Sequence, residues 1–459
     1  MAVPTDPLVR HDDDAGTLPG AGVDPVKDSV PAVARSGRAR GPARRPGLLR
    51  VLGPGLITGA ADDDPSGIAT YSAAGAAFGF GMLWTAPVAL PLMGAVQLMC
   101  ARLGMVSGRG LAGVLRERYP RWVVATACLV LLSANTVNIA ADLGAIAAVL
   151  HRVAGGAAHA WLGVVAGLIL GVLALGTYPL IARVLKWLTL VLFAYVAAAF
   201  IARPDWNEVL RATFVPSPRW SREYLVLVVA VFGTTISPYL FFWQASEEVE
   251  EEKQRGKATV EERRGASARA VHAANVDVWV GMTISTLIAY FIILTTGATL
   301  HPAGILQIQT AEQAAQALRP LAGGAAALLF AVGIVGAGLL GVSVLAGSAA
   351  LAVAEAADWP GGMNERPRGA RRFYAVMAAV MLAGVALAWT STQAIRMLVW
   401  AAVLNGVLAP PLLVLILVVC NDRQVMGRHR NRWPLNLLGG AAALVMAAAV
   451  LAMFVSGAF

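Results

Sequence analysis

The chain has 459 residues, 58% of them hydrophobic and 14% charged, where soluble globular proteins carry roughly 45–50% and 25%. The apolar residues come in runs of about 20 separated by short polar links, the pattern of bilayer-spanning helices, which excludes an ordinary cytosolic enzyme. The formal charge of +9 is mostly arginine in links on one side of the expected membrane, so it reports topology and not nucleic-acid binding.

Residues 1–47 are polar, rich in Pro, Gly, Asp and Arg, and without helical or strand periodicity, as expected of a disordered cytoplasmic tail. They contain no apolar core before a small-residue cleavage site, so no signal peptide is expected. From 48 to 459 the apolar runs predict an all-α polytopic membrane domain of about eleven helices. They fall near 49–80, 82–104, 122–150, 158–178, 180–202, 222–245, 276–300, 321–356, 372–390, 394–420 and 435–457. The links after the second, sixth, eighth and tenth helices are arginine-rich and share the side of the basic tail. The positive-inside rule then places the N-terminus in the cytoplasm and the C-terminus outside, in a multi-pass protein of the cell (inner) membrane. Arg203, Arg211, Arg219 and Arg222, between helices five and six, dissent. Cys100, Cys128 and Cys420 show no paired spacing, so neither a disulfide framework nor a zinc site is expected. The run EEVEEEKQRGKATVEERR, from Glu247, reads as a solvated helical face laced with opposite charges.

Function is expected where a spanning helix breaks its own rules. The first segment, GPGLITGAADDDPSGIATYSAAGA, carries Asp62, Asp63, Asp64, Pro65, Ser66 and Gly67 in mid-run. A charge at mid-bilayer costs about 2.5–3.5 kcal/mol on insertion scales, so three adjacent acids are not incidental packing. Pro65 removes an amide donor and Gly67 tolerates unusual dihedrals, so the helix is expected to unwind there beside the carboxylates. The sixth segment, VFGTTISPYLFFWQ, is interrupted at Gly233, Thr234, Thr235, Ser237 and Pro238. Paired interruptions in corresponding segments of two halves point to a substrate site between inverted repeats. Asp142 is a lone acid in the third segment, functional by default, with a hydrogen bond to a neighbouring helix as its packing alternative. Asn405 in the tenth reads as an amide ligand or an interhelical hydrogen bond. In the eighth, GIVGAGLLGVSVLAG reads as close helix contact.

Together GPGLITGAADDDPSG, ARLGMVSGRGLAGVLRERYP, AADLG and GTTISPYLFFW resemble the Nramp family of divalent-metal transporters, and within it the Nramp-related magnesium transporter branch. The resemblance implies a LeuT-type five-plus-five inverted repeat, with 48–202 as the first repeat, 222–420 as the second and 435–457 as a peripheral eleventh helix. It implies a metal site at Asp64 and the Thr234 carbonyl, with Asp63, Ser66, Gly67 and Ser237 around the ion and Asp62, Asp142 and Asn405 as a second tier. Gly67 stands where the family has an asparagine ligand and Ser237 where it has a methionine. Losing the soft thioether favours hard ions, and the wider site suits a magnesium ion that keeps its waters, held in part through Asp63. Tyr239 and Ala145 stand where proton-coupled members have a histidine and a glutamate, so weak or absent proton coupling is expected.

The expected function is therefore divalent cation transport, Mg2+ or Mn2+, by alternating access, with the lipid bilayer as surroundings, the ion as substrate, no cofactor and no catalytic residue. The alternatives are a proton-coupled Mn2+/Fe2+ symporter of the usual Nramp type, an organic-substrate transporter of the same fold, and a membrane enzyme using Asp62–Asp64 to chelate Mg2+ and a diphosphate. The sequence holds no P-loop, no GxSxG elbow and no HExxH.

Overall fold

Prolines decide where the first and sixth membrane segments stop being helices. The computed structural model describes residues 53–175, 189–390 and 393–457; the expected tail at 1–47 and the fifth segment up to 188 lie outside the described residues. Helix α1 (Pro54–Asp62) cannot run on, because Pro65 lacks the amide that would close onto Ala61. Helix α2 (Pro65–Phe78) starts at that same proline, with Asp64 as its N-cap accepting from the Gly67 amide.

The chain continues through α3 (Thr85–Ser107), α4 (Leu111–Arg118), α5 (Arg121–Ala154) and α6 (Ala158–Ala174). Beyond the undescribed stretch come α7 (Ala194–Ala202) and α8 (Trp206–Phe214). The sixth segment is split into α9 (Arg222–Thr235) and α10 (Pro238–Gln254), again at a proline. Then follow α11 (Ala268–Thr299), α12 (Ala326–Ala357), α13 (Arg371–Thr390), α14 (Ala394–Asn421) and α15 (Trp433–Val455). Among the described residues eight helical stretches are long and apolar enough to cross a membrane, the α9–α10 pair counting as one. The broken first segment and the shorter apolar stretches Ala158–Ala174 and Val191–Ala202 account for the remaining expected segments.

Two helices fall outside the apolar-run reading. Helix α4 carries Arg116 and Arg118 in its last turn and buries only Leu111–Leu115. Helix α8 is strongly amphipathic, with Val209 buried while Trp206, Leu210 and Phe214 are exposed, as in a helix lying at a membrane surface.

The arginine-rich links meet one another. Arg118 pairs with Asp422 and Arg116 with Asp358 at 2.8 Å, Arg102 donates to the His429 carbonyl at 2.6 Å, and Arg263 donates to the Gly108 carbonyl at 3.2 Å. The links after the second, sixth, eighth and tenth segments thus share one end of the bundle.

Helix α1 lies along α11 at very short range. A Cβ on Gly59 would stand 2.4 Å from the Gly281 carbonyl oxygen, and one on Gly281 2.1 Å from that of Gly55, so only glycine permits this approach. At its start, the Asp277 carboxylate of α11 accepts from the amides of Gly53 (2.8 Å), Gly55 (2.6 Å) and Leu56 (3.2 Å). Three of the donors that a helix N-terminus leaves unpaired are thereby satisfied from another helix.

The acidic run of α10 corrects one expectation. Its charges are laced as expected, Glu250 with Lys253, Glu251 and Glu252 with Arg255, and Glu252 with Lys257. It is not a solvated face, however, since Glu248, Glu250 and Glu252 are buried. The reason is tertiary: α10 packs between α3 and α12, and Ser246 bonds Glu355 of α12 at 2.6 Å.

Candidate metal site at the two helix breaks

The two breaks face each other. Asp64 is 1% exposed, and its Oδ1 accepts from the Ser66 hydroxyl (2.7 Å) and the Gly67 amide (2.8 Å). Across the gap the Ser66 and Thr234 hydroxyl oxygens are 3.4 Å apart, and Tyr71 meets Thr235 at 3.0 Å. Tyr239 spans both breaks: its hydroxyl lies 3.0 Å from the Ala61 carbonyl and 3.4 Å from Asp64 Oδ2. The Ala61 carbonyl is the one that Pro65 leaves without a helical donor, so the tyrosine supplies the missing hydrogen bond.

Ser237 does the same for the second break. Pro238 orphans the Thr234 carbonyl, and the Ser237 hydroxyl lies 2.6 Å from that oxygen and 2.8 Å from the Gly233 carbonyl. Ser237, Thr234 and the Ser66–Asp64 pair are thus brought together, with the serine hydroxyl turned onto its own backbone. A Cβ on Gly67 would stand 3.1 Å from the Asp62 carbonyl and 3.4 Å from the Thr234 hydroxyl, so glycine leaves the centre of the gap to backbone and hydroxyl oxygens.

Asp62 and Asp63 turn elsewhere. The Ser285 hydroxyl of α11 bonds Asp62 Oδ2 and lies 3.3 Å from Asp63 Oδ1. The three consecutive acids therefore divide between two neighbourhoods, and among the described residues no three His, Cys, Asp or Glu side chains converge as a metal cluster. Asp142 of α5 is fully buried, with no side-chain donor on its carboxylate and the Ser66 backbone amide as its nearest hydrogen-bonding group. Gly341 of α12 links it to the break: a Cβ there would lie 2.8 Å from Asp64 Cβ and 3.6 Å from Asp142 Oδ2. Asn405 and Asn138 of α5 each donate an amide hydrogen to the other at 3.0 and 3.1 Å, an interhelical hydrogen-bonded pair.

Tyr71, Gly341, Ser285 and Asn138 escape the sequence reading. Gly341 left a signal in its small-residue stretch; Ser285 and Asn138 left none, being polar groups of ordinary type in long apolar helices.

The comparisons with known proteins bear on this geometry. The family model described as "Natural resistance-associated macrophage protein-like", Nramp, matches residues 55–456. The chain belongs to the Nramp family. It is 31% identical over 339 residues to a protein of Deinococcus radiodurans named divalent metal cation transporter MntH, an alignment covering 70% of this chain and 73% of that one. An Aeromonas hydrophila protein of the same name is 28% identical over 83% of this chain and 90% of its own. Among solved structures, the Eremococcus coleocola manganese transporter in complex with an aromatic bis-isothiourea compound aligns with a TM-score of 0.71 at 17% identity. That alignment covers 88% of this chain and 86% of the other. MhsT in complex with L-phenylalanine aligns with a TM-score of 0.56 at 15% identity, covering 88% and 98%. The fold is the LeuT type, with its inverted repeats and two discontinuous helices. As an Nramp protein the chain is a membrane transporter and not an enzyme, and the metal is its substrate and not a cofactor.

Proposed function

We propose that this Nramp protein moves a hard divalent cation, Mg2+ or Mn2+, by alternating access at the paired breaks, with Asp64 as the charged ligand. The observation that carries this reading is the chemistry around Asp64. Ser66, Thr234, Tyr239 and Ser237 offer only oxygen atoms, and oxygen donors without sulfur suit magnesium and manganese over softer metals. Asp62 and Asp63 leave Asp64 the one carboxylate of the triplet on this side of the break. The protein sits in the cell membrane with its N-terminus in the cytoplasm, a reading supported by the meeting of the arginine-rich links at one end. Of the two, manganese is the cargo named for the Eremococcus coleocola structure.

The test is uptake of Mg2+ and Mn2+ into proteoliposomes by the wild type and Asp64→Asn. Asparagine is nearly as good an N-cap as aspartate, so the variant keeps the start of α2 and loses only the charge. Transport of both ions is expected to vanish while the elution profile and thermal midpoint stay close to wild type. Undiminished uptake by the folded variant would move the site elsewhere.

A further inference from the structure

We propose a second cation site on the α11 side of the first break, formed by Asp62, Asp63 and Ser285 and taking a hard divalent cation distinct from the one at Asp64. It extends the transport reading above and rests on it for the first ion.

Asp62 and Ser285 are wholly buried and Asp63 is 1% exposed. The Ser285 hydroxyl has one hydrogen, which goes to Asp62 Oδ2 or to Asp63 Oδ1 at 3.3 Å, and its oxygen keeps lone pairs free. The other oxygen of each acid, Asp62 Oδ1 and Asp63 Oδ2, is buried with no hydrogen-bond partner. Buried carboxylates are normally paired, hydrogen-bonded or bound to metal. No basic side chain is available: among the described residues the one buried cation is Arg263, in the link after α10.

Hydrogen bonding points the same way. Four buried acids, Asp62, Asp63, Asp64 and Asp142, lie on the first broken segment and α5. Asp64 is the best satisfied of the four, with Ser66, Gly67 and Tyr239 as donors. On the α11 side of the break, Asp62 and Asp63 each keep one carboxyl oxygen unsatisfied. Two carboxylates and a hydroxyl form an all-oxygen donor set, which selects a hard divalent ion with waters completing its shell.

Equilibrium dialysis of the full-length, detergent-purified chain against MgCl2 or MnCl2 counts ions per chain, and calorimetry on the same samples gives each affinity. Two ions are expected in the wild type, one in Asp62→Asn/Asp63→Asn and one in Asp64→Asn. Ser285→Ala, which changes no charge, is expected to weaken one of the two sites by about tenfold, as loss of a group that orients metal ligands does. If the double variant does not elute as a single species, Ser285→Ala decides: two unchanged affinities overturn the second site. A wild type that binds one ion overturns it too, whether that ion survives the double substitution or is lost with it. If Asp64→Asn leaves ion count and affinities at wild-type values, the transport reading of Asp64 fails instead, and the loss of an ion in the double variant still supports the second site.

Discussion

Each proline in a membrane helix leaves a carbonyl four residues back without its amide, and the bilayer offers no water to replace it. In this Nramp protein the two orphaned carbonyls, Ala61 and Thr234, are covered by Tyr239 and Ser237. These are two of the positions where the sequence departs from the family resemblance, so the departures alter backbone satisfaction as well as ligand chemistry. Ser237→Met withdraws the hydroxyl from the Thr234 carbonyl and brings a thioether to the gap. Its Mn2+-to-Mg2+ uptake ratio is expected to rise about tenfold, of the order of one lost charge-free oxygen contact exchanged for a softer one; an unchanged ratio in competition uptake would count against oxygen-based selectivity. Gly341 sets a steric limit on the same site. Gly341→Ala puts a methyl 2.8 Å from Asp64 Cβ, and overpacking of this kind costs about 1–3 kcal/mol. The variant is expected to unfold at lower temperature and to bind metal more weakly, both measurable on one purified sample.

At the scale of helices, the breaks were readable because they follow from local rules: Asp64–Pro65 and Ser237–Pro238 are start signals for a new helix wherever they stand. The long apolar helices were readable from hydropathy alone. Helices α4 and α8 were not, since counting apolar runs passes over amphipathic helices; the exposed Trp206, Leu210 and Phe214 at four-residue spacing are the stripe that a helical-period reading finds. What sequence does not carry is which polar groups meet across the bundle. Asp62 and Asp63 face Ser285, more than two hundred residues away, and no local pattern in either segment announces the pairing. Asp277 is the same kind of residue: it lies in a helix read only as a span, yet it holds the start of α1. Removing a capping group costs about 0.5–2 kcal/mol, so Asp277→Ala is expected to loosen α1 from α11. Hydrogen-exchange mass spectrometry should show faster exchange across residues 53–62, with little change in α12; unchanged protection there would mean that the Gly55, Gly59 and Gly281 contacts hold the helix unaided.

At the scale of the whole molecule, the two ends differ. Where α5 and α11 end and α9 begins, a cavity of about 800 Å³ opens between α2, α5, α9, α12 and α14, lined in part by His151, Arg152, Glu223 and Arg396. Asp64 is buried and is not among the residues lining this cavity, and towards the opposite end α1 packs tightly on α11. On the proposed topology, with the arginine-rich links in the cytoplasm, this cavity would face outward and be the side from which a cation enters. An inward-negative potential then favours uptake by about 2.3 kcal/mol per charge per 100 mV, counted twice for a divalent ion. No described histidine sits mid-bundle to relay a proton: His151, His159, His272, His301 and His429 lie near helix ends or in the links. Tyr239, at the family's histidine position, is engaged with the Ala61 carbonyl. Potential alone is thus expected to drive the transporter. In proteoliposomes holding a metal indicator and a pH indicator, an imposed inward-negative potential should accelerate metal entry while internal pH stays constant. Acidification that appears only with metal outside, and that is lost in Asp64→Asn, would instead assign a proton path to Asp142 and the acids of the first break.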